Sequence, residues 1–273
     1  MTNDSQRETL QKYKFKFNKR FGQNFISDKN LLSAIVADAG ITGSDTVVEV
    51  GAGAGALTLE LARVANKVVS YEIDTALTDV LNDRLDGIQN AELVFADVMK
   101  ESADEILART GGVFKVVANL PYYITTPIIF KFLDLPVQSI TVLVQKEVAY
   151  RMCASAGTAE YGVLTVGIAV FGTAKITRQV KRQMFYPVPD VDSALVTIVP
   201  DNRLDKSTRS ELKELARLAF AMRRKTLYNN LKGKYGAERA ARAIESAGLP
   251  ADVRGEMLTL DNFIELNKQL KKL

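Results

Sequence analysis

The chain has 273 residues, of which 47% are hydrophobic and 25% charged, with a net charge of +4, one cysteine and no histidine. We expect one large globular domain and a smaller second one. The composition excludes an internal disulfide, a multi-cysteine zinc site and every catalytic triad that uses histidine, so we expect no metal. The apolar stretches are too short to span a membrane and the N-terminus lacks an apolar signal core, so we expect a cytoplasmic protein without a membrane partner.

Basic residues are concentrated at the two ends of the chain. Residues 1–30 carry a net charge of +4 and residues 201–273 a net charge of +6, whereas the region between them carries −6. Such a distribution is typical of a protein that binds a polyanion. Solvated lysines and arginines on helical surfaces would give the same pattern, so charge alone leaves both interpretations open.

Short β-branched runs alternate with helical patterns over the first 150 residues. The predicted strands are DTVVEV, KVVSYEI, AELVFAD, FKVVANL and SITVLVQ. This alternation predicts an α/β fold with a parallel sheet and helices on both faces. After residue 160 the runs YGVLTVGIAVFG, AKITRQVKRQMF and SALVTIVP are predicted as strands without helices between them, which would add antiparallel strands at one edge.

The composition changes again near residue 201, where the chain becomes helical, polar and basic. We therefore predict a sheet domain over residues 1–200, with a basic N-terminal segment at 1–28, and a helical domain over residues 201–273. Within the N-terminal segment, KYKFKFNKRFGQNF interleaves lysines with aromatic residues. This pattern suits a segment that orders over RNA or a cofactor, and it equally suits an edge strand.

The segment EVGAGAGALT closes the first predicted strand and opens the first helix. Gly51, Gly53 and Ala56 match the G-x-G-x-x-A fingerprint of nucleotide-binding α/β folds. Glu72 ends the second strand, where a carboxylate can accept hydrogen bonds from ribose hydroxyls. NAD and S-adenosylmethionine (SAM) both carry such a ribose, and a plain tight turn would also use these glycines.

Two further acids favour SAM over NAD. Glu49 precedes the glycine loop, where a carboxylate would disfavour a pyrophosphate but suit a sulfonium or an amino-acid ammonium. Asp97 ends the third strand, where it can accept a hydrogen bond from an adenine amino group. An acid at that position is also typical of a helix N-cap. Ligands of open α/β sheets bind at the carboxyl ends of the strands, where these residues lie.

The sequence NLPYY, residues 119–123, ends the fourth predicted strand beside the same crevice. The amino group of adenine or cytosine is a poor nucleophile because its lone pair is delocalised into the ring. Acceptance of its N–H bonds by the Asn119 side-chain oxygen and the Leu120 carbonyl would make that nitrogen more tetrahedral. Pro121 stiffens the turn, and Tyr122 offers a ring on which an extruded base can stack. An ordinary strand-to-helix turn is the alternative.

At these motifs the chain resembles the ribosomal RNA adenine N6,N6-dimethyltransferases. The likeness runs from about residue 18 to residue 232 and rests on seven motifs. They are RFGQNFISD (20–28), EVGAGAGALT (49–58), YEID (71–74), NLPYYITTPI (119–128), VQKEVAYR (144–151), FYPVPDVDSALV (185–196) and RRKTLYNNL (223–231). The bulky Tyr123 stands at a position where the family varies.

The resemblance implies a Rossmann-like class I SAM-dependent methyltransferase domain with a small α-helical C-terminal domain. By motif, Asn24 and Ile26 would contact SAM alongside Glu49, Gly51, Gly53, Glu72, Asp97 and Asn119. Phe185 would sandwich the target adenine against Tyr122. The motifs favour the small-subunit branch, in which two adjacent adenosines near the 3′ end of the rRNA are each dimethylated. A large-subunit enzyme of the antibiotic-resistance type and a non-catalytic ribosome-assembly factor remain alternatives.

The second basic cluster lies in ELKELARLAFAMRRKTLYNNLKGK, residues 211–234. We predict that its lysines and arginines bind phosphates, which fixes the position of the RNA without reading its sequence. A solvated helix face is the alternative for each of them. We expect a monomer whose partner is small-subunit rRNA in a preassembled particle. The residues predicted to contact RNA are Arg217, Arg223, Arg224, Lys225, Lys232 and Lys234.

Overall fold

The computed structural model describes residues 3–18, 22–201 and 203–273, with the backbone alone at residues 3–5 and 7. Arg20 and Phe21 of the N-terminal motif lie outside the described residues. No helix in the described ranges is long and apolar enough to cross a membrane. The chain divides into two compact units, Met1–Ala149 with Lys175–Val199 and Tyr150–Ala174 with Pro200–Leu273.

The first unit is built on a seven-stranded sheet with the strand order β4-β3-β2-β5-β6-β9-β7. Strands β2 to β6 pair in parallel, and β9 runs antiparallel to β6. Two short strands, β1 and β8, pair antiparallel outside this sheet. The strands are β1 Phe25–Ile26, β2 Thr46–Val50, β3 Lys67–Glu72, β4 Ala91–Phe95, β5 Phe114–Asn119, β6 Val137–Gln145, β7 Gly172–Val180, β8 Phe185–Tyr186 and β9 Ser193–Pro200.

Helices follow the parallel strands, as the alternating sequence pattern predicted, and the Rossmann-like fold class is confirmed. The helices up to β7 are α1 Asn3–Lys12, α2 Lys29–Asp38, α3 Ala56–Ala62, α4 Thr78–Arg84, α5 Ala103–Thr110, α6 Thr125–Leu133, α7 Lys146–Met152 and α8 Val163–Ala169. The C-terminal helices are α9 Lys206–Ala219, α10 Leu227–Tyr235, α11 Ala237–Ser246 and α12 Leu260–Lys272.

The central strands place the site at one edge of the sheet. Val47, Val48, Val116 and Val117 of β2 and β5 are fully buried, as expected for parallel strands covered on both faces. From β2 the chain first builds β3 and β4 on one side and then β5 and β6 on the other. The strand order therefore reverses at β2, and a crevice opens beyond the carboxyl ends of β2 and β5.

The prediction of a strand over YGVLTVGIAVFG is wrong, because the structure forms helix α8 there. Leu164, Val166 and Ile168 are all buried, so the segment is apolar on all sides. Periodicity cannot distinguish a buried helix from a buried strand in a run of this length. Thr165 favours the helix, since its hydroxyl accepts a hydrogen bond from the Gly162 N–H at 3.2 Å and donates to the Arg151 carbonyl at 2.5 Å.

The boundary between the units also differs from a single division at residue 200. Residues 150–174, which the sequence placed with the sheet, group with the C-terminal helices. Helix α8 packs against α9, and the Tyr161 hydroxyl donates to the Leu258 carbonyl at 2.6 Å. These contacts join residues far apart in sequence, and no local pattern signals them.

The N-terminal segment forms helix α1, then a turn at residues 13–14 and a stretch outside any strand at residues 15–18. The edge strand considered for residues 12–25 is therefore absent from the described part of that range before β1, which begins at Phe25. Phe15 and Phe17 pack beside Phe25 with ring centroids 6.1 and 5.4 Å from it, while Lys14 and Lys16 are exposed. The aromatic residues of this segment face the protein and the lysines face the solvent. This alternation therefore arises without pairing of the segment to a β-strand.

Helix α1 ends in a Schellman motif whose left-handed residue is Lys14, with φ of 50°. The Phe15 N–H donates to the Leu10 carbonyl and the Lys14 N–H to the Gln11 carbonyl, both at 2.9 Å. A side chain strains this backbone conformation, which glycine adopts freely.

We expect Lys14→Gly to raise the free energy of unfolding by about 0.5–1 kcal/mol, because it relieves the left-handed strain at the end of α1. Urea unfolding of both proteins would measure the change. Lys16→Gly is the control, since Lys16 has no positive φ and should gain nothing. A loss of stability in Lys14→Gly would show that the lysine side chain contributes more than its backbone costs.

Candidate active site

A cavity of about 100 Å³ lies at the carboxyl ends of the parallel strands. It brings together most of the residues that the sequence selected from separate motifs. Those lining it are Asn24, Gly51, Gly53, Glu72, Asp97, Asn119, Leu120, Pro121 and Tyr122. Segments that follow β2, β3, β4 and β5 converge there because parallel strands end at the same edge of a sheet, and the residues just before β1 complete the wall.

The glycine loop turns tightly beneath this cavity. Gly51 and Gly53 have φ of 82° and 55°, which side chains rarely adopt. The Gly51 and Ala52 N–H groups donate to the Tyr71 carbonyl at 2.8 and 3.1 Å, so the loop is held to the end of β3. A Cβ at Gly53 would lie 3.0 Å from the Phe25 ring. The glycines are therefore required by the turn itself, and Gly51 and Gly53 border the cavity.

Glu72 at the end of β3 faces the cavity and is almost fully buried. Its Oε2 accepts the Gly53 N–H, and its Oε1 accepts the N–H groups of Ile73 and Asp74, each at 2.8 Å. Burial raises the pKa of the carboxyl against the opposing effect of these bonds. Each carboxylate oxygen can accept two hydrogen bonds, so Oε2 keeps one position for a ligand hydroxyl.

The position of Asp97 is compatible with both roles that the sequence left open. Its Oδ1 accepts the Met99 N–H at 3.0 Å and so caps the turn after β4. Its side chain also lines the cavity, and no hydrogen bond from a described residue engages Oδ2. The second oxygen is thus available to accept a hydrogen bond from a ligand amino group.

Glu49 lies behind the glycine loop, in a second, smaller cavity and outside the first one. Its Oε2 accepts hydrogen bonds from the hydroxyls of Thr58 at 2.6 Å and Ser70 at 2.5 Å. Its Oε1 is buried and has no hydrogen-bond partner among the described residues. Burial raises the pKa of this carboxyl to about 7, although the two hydroxyls oppose the shift.

Asn119 at the end of β5 has a fixed side-chain orientation. Its Nδ2 donates to the backbone carbonyl of Asn24 at 2.8 Å. Only the nitrogen of an amide can donate to a carbonyl, so this bond assigns the two ends of the group. The Oδ1 atom makes no hydrogen bond to a described residue and is left as an acceptor. Asn119 borders the cavity together with Leu120 and Pro121.

Tyr122 is also held in place, because its hydroxyl lies 2.9 Å from the Ser193 hydroxyl on β9. Burial raises the pKa of the phenol, so the ring remains neutral at physiological pH. The turn before it is closed by the Pro121 carbonyl, which accepts the Thr125 hydroxyl at 3.1 Å. The ring therefore offers a fixed face at the wall of the cavity.

Besides Glu49, two predicted site residues do not line the main cavity, Ile26 and Phe185. Ile26 is buried in β1, where it pairs with Phe185 and borders only the second cavity. Phe185 is 2% exposed and packs in the core with Leu143 and Leu195. Side chains alternate along the short β8 strand, so Tyr186 points outward and Phe185 inward. A stacking role for Phe185 would require its ring to be uncovered, and it stays a prediction.

Gln23 and Tyr123 also line the cavity, although the sequence argument gave Gln23 no role and noted Tyr123 only as a bulky residue at a variable position. The Gln23 Nε2 donates to Asp74 at 2.6 Å and its Oε1 accepts the Asn18 N–H at 2.8 Å, so it joins the N-terminal segment to the turn after β3. Tyr123 is 62% exposed. Both residues belong to motifs found in the sequence, and this was the only indication of their position. Membership of a motif does not tell whether a residue contacts a ligand or holds a neighbouring segment in place.

The predicted RNA-contacting residues all lie in the second unit and are all exposed. Some have protein partners: the Lys234 ammonium contacts the Glu214 carboxylate, and Arg223 donates to the Ala159 carbonyl at 2.5 Å. Arg217, Arg224 and Lys225 make no ion pair with a described residue. Lys232 also makes no ion pair with a described residue, but its ammonium lies over the Tyr228 ring at 5.4 Å from the centroid. Arg217, Arg224 and Lys225 are therefore the members of the set most readily available to a phosphate.

Asn230 holds the turn that carries Arg223–Lys225. Its buried Nδ2 donates to the Ala219 carbonyl at 2.7 Å, and its Oδ1 accepts the Met222 N–H at 3.1 Å. Thr226 then caps helix α10 by accepting the Asn229 N–H at 3.4 Å. The RRKTLYNNL motif is therefore partly structural, because its polar residues fix the turn on which the arginines stand.

We expect the double variant Arg224→Ala with Lys225→Ala to weaken RNA binding and to lower the slope of log K against log salt by about 1–2, because each phosphate contact releases about one counterion. Filter binding to rRNA over a salt series would measure it. Arg242→Ala, which removes an exposed arginine on α11, is the charge control. An unchanged slope in the double variant would assign this turn a structural role alone.

Comparison with known proteins decides the family. A family model described as ribosomal RNA adenine dimethylase matches residues 14–272. The chain belongs to this family. It is therefore an enzyme that transfers methyl groups from SAM to adenine in ribosomal RNA.

Relatives match this dimethylase over nearly their full length. Proteins named ribosomal RNA small subunit methyltransferase A from Clostridioides difficile (strain 630) and Geobacillus thermodenitrificans (strain NG80-2) are both 40% identical to it. The matches cover 97% and 98% of this chain and 95% of each relative.

Among solved structures, a dimethyladenosine transferase from Plasmodium falciparum is similar to this dimethylase with a TM-score of 0.75 and 26% identity, over 91% of this chain and 98% of that one. The 23S rRNA methyltransferase ErmE is similar with a TM-score of 0.72 and 28% identity, over 91% of this chain and 100% of that one.

The residues of this dimethylase fit the cofactor. The buried, unpartnered Oε1 of Glu49 and the cavity bordered by Gly51 and Gly53 are features that a cationic, adenosine-bearing ligand would satisfy. SAM supplies an electrophilic methyl group on a sulfonium. The acceptor oxygens that line the crevice suit the hydroxyl, amino and ammonium groups of such a molecule.

Proposed function

We propose that this protein dimethylates N6 of two adjacent adenosines near the 3′ end of small-subunit rRNA, in a preassembled particle, as a cytoplasmic monomer. The observation that carries the chemistry is the fixed amide of Asn119, whose nitrogen is engaged by Asn24 and whose oxygen is left for a donor. The small-subunit target is supported by the names of the 40%-identical relatives.

The proposed chemistry uses hydrogen-bond acceptors in place of a general base. The Asn119 Oδ1 and the Leu120 carbonyl would accept the two N–H bonds of the adenine amino group. This draws the nitrogen away from planarity and frees its lone pair for attack on the methyl carbon. The proton becomes acidic only after the nitrogen has been methylated, so it can leave to solvent. A chain without histidine can therefore carry out the reaction.

The other residues of the cavity would position the two reactants. Glu72 and Asp97 would accept hydrogen bonds from the ribose and the adenine amino group of the cofactor, using the free positions on their carboxylates. Tyr122 would stack on the target base. A base that has left its helix loses stacking energy of a few kcal/mol, and an aromatic platform recovers about 1–3 kcal/mol of it.

The particle is a better substrate for such a site than a regular RNA helix. The deep, narrow major groove of A-form RNA hides the adenine amino group, whereas single-stranded or distorted bases can leave the stack easily. The exposed lysines and arginines of the second unit would position the RNA through its phosphates. We therefore assign selectivity to the shape of the assembled rRNA.

A large-subunit rRNA target is the second candidate, because the 23S rRNA methyltransferase ErmE is similar to this chain over 91% of its length. The reacting residues would serve either RNA, since both present an adenine amino group. The decision between the two depends on how the RNA docks.

The experiment is transfer of radiolabelled methyl groups from SAM to small ribosomal subunits that lack the modification. Large subunits and duplex DNA are controls, and nucleosides from the digested RNA are separated afterwards. We expect N6,N6-dimethyladenosine on small subunits alone. Label on large subunits would move the protein to the second candidate. Absence of label with SAM still bound would indicate a non-catalytic assembly factor.

A further inference from the structure

A second cavity adjoins the first behind the glycine loop. Its volume is about 30 Å³, which is enough for a group of the size of a water molecule. It shares Phe25, Gly51, Gly53 and Asn119 with the main cavity, so the two meet at the base of the crevice. A group that enters it from the cofactor site must be small.

Two polar side chains face this space without a protein partner. The Glu49 Oε1 is buried and unpartnered. Gln6 of helix α1 is 9% exposed, and its amide makes no hydrogen bond to another described residue. A buried polar atom without a hydrogen-bond partner is unfavourable, so the Glu49 Oε1 indicates a ligand that completes it. Gln6 borders the same space and can contribute to binding that ligand.

Helix α1 holds Gln6 in place. Leu10, one turn further along the helix, is 5% exposed and packs with Leu77 and Leu81. The Lys12 ammonium lies 2.9 Å from the Asp83 carboxylate on α4. The Schellman motif ends the helix at a defined point. Gln6 is therefore carried into the wall of the second cavity by a docked helix.

We propose that Gln6 binds the α-ammonium group of the methionyl end of SAM, together with Glu49, so that helix α1 forms the far wall of the cofactor site. This inference rests on the placement of the cofactor in the proposed function. With the adenosyl end at Glu72 and Asp97 and the sulfonium at Asn119, the methionyl chain continues toward the glycine loop and the second cavity.

The chemistry of the two groups matches an ammonium. It carries three N–H donors and no acceptor, and it is about as large as the water molecule that the cavity could hold. The Glu49 Oε1 and the Gln6 Oε1 would each accept one of its N–H bonds. A hydrogen bond to a charged group in a site closed to water is stronger than one between neutral groups.

The test compares two ligands that differ only in the methionyl end. S-Adenosylhomocysteine has the ammonium, whereas 5′-methylthioadenosine keeps the adenosine and the thioether and lacks the amino acid. We expect Gln6→Met, which keeps the length of the side chain but removes its polar atoms, to weaken S-adenosylhomocysteine binding about tenfold or more. Binding of 5′-methylthioadenosine should not change. Isothermal titration calorimetry would measure both.

Gln11→Met is the matched control, because Gln11 is exposed on the same helix and should affect neither ligand. Equal weakening for both ligands by Gln6→Met, or no change for either, would overturn the proposal. Thermal unfolding of each variant shows whether helix α1 remains docked. These affinities do not depend on a methyl acceptor, so they stand whichever RNA proves to be the substrate.

Discussion

Replacing Asn119 by alanine is expected to lower the rate of methyl transfer by about 10²–10³-fold, with a much smaller effect on the affinity for SAM. Removal of one preorganised polar group that acts mainly on the transition state typically has this size. The Asn119 oxygen would act on the substrate amino group as it becomes nucleophilic, and the cofactor is held by other residues. Single-turnover rates and S-adenosylhomocysteine affinity should be measured on the same preparation.

Asn82→Ala is the matched control, since Asn82 is an exposed asparagine on α4 and should leave both quantities unchanged. Asn119 also donates to the Asn24 carbonyl, so some loss of cofactor affinity in Asn119→Ala would reflect a looser N-terminal segment. Loss of binding as large as the loss of rate would contradict the proposed role. It would make Asn119 a support for the segment and leave the acceptor unidentified.

Replacing Glu49 by glutamine is expected to stabilise the cofactor-free protein at pH 8 by roughly 3 kcal/mol, at 1.4 kcal/mol per unit of pKa change, and to weaken SAM binding at least tenfold. The pKa of Glu49 is raised from 4.5 to about 7. A carboxyl whose folded-state pKa is raised contributes stability below pH 4.5, and this contribution is lost as the pH rises to 7. Glutamine is uncharged at every pH, so the variant does not bear the free-energy cost of a buried carboxylate.

The advantage of Glu49→Gln should therefore be small at pH 5, grow as the pH rises, and level off above pH 7. Urea unfolding at pH 5 and pH 8 would measure it. Glu92→Gln is an informative control because ion pairs with Lys67 and Arg109 outweigh partial burial and lower the pKa of Glu92, so its pH trend should have the opposite sign. A stability difference for Glu49→Gln that does not vary with pH would show that its charge is compensated within the protein.

The sequence predicted the parallel sheet and most of the cavity wall for a common reason. Each motif lies at the end of a strand, and strand ends converge whatever the details of packing. The same logic could not place Glu49, which points behind the loop, because the direction of a single side chain depends on its partners Thr58 and Ser70.

Contacts distant in sequence account for the remaining differences. Phe185 is turned inward by pairing with Ile26, a residue 159 positions away in the chain. Helix α8 is buried on all sides, so its sequence is apolar throughout and lacks the 3.6-residue hydrophobic periodicity by which a helix is recognised. Gln6 belongs to none of the sequence motifs, and its position depends on the packing of helix α1 beside α4. Such features follow from tertiary packing, which local patterns do not encode.

The bond from Asn119 to Asn24 has a consequence for the choice between purines. With its nitrogen engaged, the amide presents an oxygen to the base, and an oxygen can pair only with a donor. Guanine and hypoxanthine carry a carbonyl oxygen at position 6, where adenine carries an amino group. In this site two acceptors would face each other, and turning the amide over would break its bond to the N-terminal segment. An inosine at the target position should therefore be excluded at binding, before any question of its reactivity arises.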